Sequence, residues 1–135
     1  GLTAKIAEVE AEMKREENEK TLNKAFSVYS QGKLIPADRE LEKSLEIQPG
    51  EQQTQKVTMQ LKEEIAKGYF EAGNKAYRNK KYNTAVANWK EAKNWGYNQN
   101  DVAMNIKTAE AAKLRAAAQA NKVETKTQPE PVNPR

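Results

Sequence analysis

The two side chains most versatile in acid-base and nucleophilic chemistry are missing from this chain. None of its 135 residues is histidine or cysteine, which removes imidazole acid-base catalysis, thiol nucleophiles and thiolate metal ligands. No Gly-rich phosphate loop occurs. The acid pairs Glu16-Glu17 and Glu63-Glu64 are adjacent in sequence, so on a helix their side chains point about 100° apart and do not converge on one substrate. A metal site would have to be all-carboxylate and helical, a donor set these spacings do not favour. The expectation is a protein that is not an enzyme and uses no cofactor, metal or small-molecule substrate.

The residue types that are present suit recognition. Phe70, Asn74 and Arg78 sit four apart, so one helix face offers an aromatic ring, an amide and a guanidinium in a row. The amide can both donate to and accept from an extended peptide backbone, the guanidinium can pair with a carboxylate, and the ring can receive a side chain. The plainer reading makes Phe70 and Tyr77 contacts between neighbouring helices and Asn74 a solvated helix residue.

Charge is unevenly placed. The net +4 divides into −2 over residues 1–17, −1 over 18–51 and +5 over 66–99. In the basic stretch Lys67, Lys75, Arg78, Lys80, Lys81, Lys90 and Lys93 mingle with aromatic residues, a combination that can bind nucleic acid. Tyr69, Tyr82 and Trp89 are needed for a core, however, and Trp95 for its end, so few rings remain for base stacking. Nucleic acid is the lesser alternative. Another is self-association through Leu2, Ile6, Val9 and Met13, an apolar stripe on a helix rich in Glu and Lys.

Helices must carry all of these residues. The mean hydropathy is −1.00 and 31% of residues are charged, a balance typical of helices with one apolar face each. Three of the five prolines, Pro129, Pro131 and Pro134, fall near the end, leaving few helix breakers before residue 128. No apolar run exceeds three residues, as at Ala116 to Ala118, far from the ~20 of a membrane span, so direct membrane contact is not expected. Starting at Gly1 rather than Met suggests a trimmed or processed form, which leaves room for a signal or anchor outside it, and the compartment, cytoplasmic or periplasmic, stays open.

A repeat appears when the chain is shifted by 48 residues. Ala25 falls on Gly73, Tyr29 on Tyr77, Ala37 on Ala85, Leu41 on Trp89, Ser44 on Ala92 and Ile47 on Trp95. Small matches small and large matches large. Each copy reads as two apolar helix faces around a polar break, Gln31-Gly32-Lys33 in the first and Asn79-Lys80-Lys81 in the second, and so predicts an antiparallel hairpin. Ala25, Gly73, Ala37 and Ala85 allow close approach at the crossings, and Leu41 and Trp89 fill the flanking space. Val57, Leu61, Ile65 and Tyr69 continue one stripe into the second copy, while Val102, Ile106, Ala109, Leu114 and Ala117 predict a lid helix with Asn98 or Asn100 as N-cap. From Asn121 periodicity fades, and a disordered tail is expected over 121–135.

The two copies resemble the tetratricopeptide repeat, whose pattern is an aromatic, two residues, Leu-Gly, two residues, Tyr, then Ala-x3-Phe and a later Pro. Tyr69 matches the leading aromatic, Ala72-Gly73 the Leu-Gly pair, Ala85-x3-Trp89 the Ala-x3-Phe and Ala92 the small residue that follows. The first copy keeps Ala25, Ala37-x3-Leu41, Ser44 and Pro49 but carries Thr21 and Lys24 where an aromatic and Leu are usual, and the offset is 48 rather than 34. The resemblance implies an all-α fold of antiparallel hairpins, a fragment of a right-handed α-α superhelix. It divides the chain into a helical extension (1–17), repeat 1 (18–51), a second extension (52–65), repeat 2 (66–99), a capping helix (100–120) and the tail (121–135).

It also implies a protein-binding scaffold or adaptor whose ligand groove is lined by the first helix of each hairpin. Carried onto this chain, that surface is Leu22, Phe26 and Tyr29 in repeat 1 and Lys67, Phe70, Asn74, Tyr77 and Arg78 in repeat 2. Phe70 stands where carboxylate-clamp members have lysine, so capture of a C-terminal carboxylate is not implied. Hairpins with extended joining helices are similar to parts of bacterial envelope, motility and secretion assemblies. The helices expected are 3–30, 34–48, 52–79, 82–95 and 99–120, and the partner expected is another protein or peptide segment.

Overall fold

A computed structural model describes the backbone of residues 1–127 and the side chains of residues 1–122. The described residues are all-α: α1 (Leu2–Ser30), α2 (Leu34–Ile47), α3 (Gln52–Arg78), α4 (Tyr82–Asn94) and α5 (Gln99–Thr127). The first four agree with the expected helices to within one residue at either end. α5 does not stop at 120. It continues through Thr127, because no Gly or Pro intervenes between residues 97 and 128 and extending an existing helix is far cheaper than starting one. The expected disordered tail is therefore helical over 121–127, and residues 128–135 lie outside the described residues.

The chain forms two compact units, residues 1–67 and 68–135, with α3 contributing to each. Unit 1 holds α1, α2 and the first half of α3. Its apolar core is Ala25, Ala37, Leu41, Leu61, Ile65 and Ala66. Beside it lies a polar layer in which Asn18 donates through Nδ2 to Gln48 Oε1 at 2.7 Å and accepts from the Ser44 hydroxyl. Thr58 is buried with its hydroxyl on the Thr54 carbonyl at 2.7 Å, so no hydroxyl there is buried without a partner. Ion pairs tie α2 on both flanks. Glu40 lies 3.4 Å from Lys24 of α1 and 3.1 Å from Lys43. Lys62 of α3 reaches Asp38 at 3.1 Å and Glu42 at 3.0 Å.

Unit 2 holds the second half of α3, α4 and α5 around Ala76, Ala85, Trp89, Val102 and Ala109. The indole of Trp89 crosses α3 at Gly73, where an added Cβ would overlap its Cδ1 and Nε1. Its Nε1 donates to the Phe70 carbonyl and to Asn74 Oδ1, both at 3.2 Å. Leu41 and Ala25 occupy the same two places in unit 1, so the larger ring goes with the smaller partner. α5 covers the hairpin with Val102, Ala109 and Ala112, but Leu114 and Ala117, expected on its buried stripe, are exposed. The stripe ends at Ala112 because α5 outruns the hairpin beneath it.

Chain reversals repeat with the elements. After α1 the Lys33 amide reaches the Val28 carbonyl and the Gly32 amide the Tyr29 carbonyl; after α3 the Lys81 amide reaches Ala76 and the Lys80 amide Tyr77. Both are Schellman-type closures needing one left-handed residue. Gly32 supplies it at φ 79° and Lys80, 48 residues on, at φ 60°. α5 begins on Asn98, whose Oδ1 accepts from the amides of Asn100 and Asp101 at 2.9 and 3.2 Å. That is the N-cap role expected of it, with Asp101 in the first turn.

Candidate functional site

Unit 1 contains a cavity of about 300 Å³ between its three helices. Ala25 on α1, Ala37 and Leu41 on α2 and Leu61 on α3 form a buried apolar floor. The rim is Phe26 and Tyr29 on α1 with Val57, Gln60 and Glu64 on α3. Phe26 is 55% exposed and Tyr29 45%, so two aromatic rings stand at the mouth of an apolar recess. The Tyr29 hydroxyl donates to Glu64 Oε2 at 3.1 Å. That hydrogen bond, with the carboxylate charge next and slight burial last, raises the Tyr29 pKa above its ordinary value, because the neutral phenol is the donor.

The small residues that let α1 and α2 cross leave the recess. Ala25 and Ala37 fill little space, and the first half of α3 walls it without closing it. Sequence reasoning placed Phe26 and Tyr29 on the ligand surface, and both line this cavity. Leu22, half-buried, and Lys67, exposed, are not among its lining residues. Val57, Gln60 and Glu64 also line it, outside the expected ligand surface, because the sequence pattern makes 52–65 an extension leading into the second repeat. The signal was in the Val57, Leu61, Ile65 stripe. A helix with that stripe needs something to pack on, and α1 and α2 are what it meets.

Unit 2 deploys its candidates differently. Asn74, Tyr77 and Arg78 line a smaller recess of about 220 Å³ with Trp89, Asn105 and Thr108. The Asn74 amide oxygen is already engaged by the Trp89 indole. Phe70 stacks on Tyr97 with ring centroids 4.0 Å apart and planes 12° from parallel. Tyr77 packs edge-on against Tyr82 at 5.7 Å and lies 6.0 Å from Trp89. The row Phe70, Asn74, Arg78 is thus split: a stacked ring, an amide spent on the core, and an exposed guanidinium. A shallow groove of about 880 Å³ runs between Tyr77, Lys80 and Tyr82 and the Ala112, Arg115, Ala116, Gln119 and Ala120 side of α5.

Among the described residues no cluster of three or more His, Cys, Asp or Glu is arranged to hold a metal ion. No described helix is long and apolar enough to cross a membrane. No family model, no characterised protein sequence and no solved structure matches this chain.

Proposed function

We propose that this chain is a non-catalytic protein-interaction module of tetratricopeptide type, and that the unit 1 cavity seats an apolar side chain of a partner segment. One observation carries the reading: a buried apolar floor opens to solvent beside two exposed aromatic rings, both on the helix that the family resemblance would make a ligand-receiving one. Desolvating such a recess drives association, and a pre-formed pocket keeps the ordering cost on the module's side small. Glu64 at the rim accepts a hydrogen bond now and can accept another, which suits a partner with a donor or cation beside its apolar anchor. The extended joining helices agree with a place in a larger bacterial envelope, motility or secretion assembly.

Panning a random peptide library on the immobilised chain tests this. Selected peptides should share an apolar anchor flanked by donor or basic residues. Their affinity should fall about tenfold or more with Phe26→Ala, as for an aromatic hot spot, at unchanged helicity. A panel whose affinities ignore Phe26 and Tyr29 but respond to Arg78 would overturn it.

Phe70, Tyr77 and Tyr82 pack on other rings, which leaves fewer ring faces for base stacking and favours the protein-binding reading over the nucleic-acid alternative.

A further inference from the structure

The 48-residue register extends beyond the two hairpins. Ile6, Val9 and Met13 of α1 fall on Thr54, Val57 and Leu61 of α3, and again on Val102, Asn105 and Ala109 of α5. In α3 and α5 these places pack against the hairpin that precedes them: Thr54 and Leu61 are 6% and 4% exposed, Val102 and Ala109 1% and 0%. In α1 the same places are 51%, 59% and 63% exposed. The mirror case lies in the second half of α5. Leu114, Ala117 and Ala118 fall on Ala66, Tyr69 and Phe70 of α3, which are buried or half-buried, yet all three are exposed, Leu114 at 72%.

The two open faces are of different kinds. One is the first half of a long helix, the other the second half. Their charges are opposite as well. Residues 1–17 hold five acids and three bases, whereas 113–122 hold Lys113, Arg115 and Lys122 and no acid. Opposite charge favours pairing unlike faces and disfavours α1 on α1.

We propose that copies of this chain associate head to tail, the Ile6, Val9, Met13 face of one on the Leu114, Ala117, Ala118 face of the next. Such a contact is heterologous, so each added copy leaves one face of each kind open.

Sedimentation velocity on the whole chain from micromolar to millimolar concentration tests this. The average mass should rise past two copies with concentration and fall with added salt. Ile6→Lys/Met13→Lys breaks one face and Leu114→Glu/Arg115→Glu the other, all at exposed positions, with circular dichroism to verify helicity. Each variant alone should associate at least tenfold more weakly than the parent chain. An equimolar mixture should form one-to-one pairs and stop there, because each variant keeps one intact face. A chain that stays monomeric throughout overturns the proposal. So does loss of association on changing α1 alone while the α5 variant behaves as the parent, which is the signature of symmetric α1 pairing.

Discussion

Gly73 and Trp89 show how one pair of side chains sets a helix crossing. With Trp89 in place, Gly73→Ala forces a methyl group into the indole, and overpacking of this kind costs about 1–3 kcal/mol. Alanine is also the better helix former, by about 1 kcal/mol. The substitution should therefore destabilise the parent chain in thermal melts and become neutral or stabilising in a Trp89→Leu background, where the pair copies Ala25 and Leu41. A Gly73→Ala effect independent of residue 89 would remove this account of the crossing. Lys80 offers the converse test. It holds a left-handed conformation that costs an L-residue roughly 1–2 kcal/mol, at the place Gly32 occupies in unit 1, so Lys80→Gly should raise the melting temperature. Both pairings were legible from the 48-residue shift. The engagement of Asn74 by Trp89 was not, because periodicity gives the face of a residue but not which neighbour its polar atoms meet.

At the scale of elements, α2 is the piece held by charge. Burial raises the Glu40 pKa, but hydrogen bonds from Lys43 and Lys24 outweigh it and hold the carboxyl below its ordinary range. Burial also lowers the Lys62 pKa, and Glu42 and Asp38 outweigh that, leaving it raised. A depressed carboxyl stabilises the fold above its unfolded pKa, near 4.3, and loses that contribution as pH falls through the folded value. A raised ammonium stabilises it below about 10.4 and loses that as pH climbs through the folded value. Stability should therefore be level between roughly pH 5 and 10 and decline on both sides. Glu40→Gln should flatten the acid limb, and Lys62→Met the part of the alkaline limb that the Tyr29 phenol, also raised, does not carry. Acid limbs of equal slope with and without Glu40 would exclude it as their source. Helix limits were legible because breakers and apolar stripes mark them. α5 outran its expected end because helix propensity continues where burial stops, and Leu114 shows the two are separable.

For the whole molecule, the 48-residue shift predicts two similar hairpins, and each unit carries one, with a third helix packed against it. The joining helix is what sequence reasoning understated. Residues 52–67 belong to unit 1 and supply a wall of its cavity, while 68–78 start unit 2. Charge separates the units too, eleven bases against thirteen acids in residues 1–67 and twelve against six in 68–135. A partner recognised by apolar anchoring beside Glu64 should prefer unit 1, and one recognised by acidity alone unit 2. Amide chemical-shift mapping with a library-selected peptide distinguishes them most directly. The largest shifts should fall on Phe26, Tyr29, Val57, Gln60 and Glu64. Shifts confined to Lys75, Lys80, Lys90 and Lys93, with the cavity residues unmoved, would contradict the assignment of the binding site to unit 1.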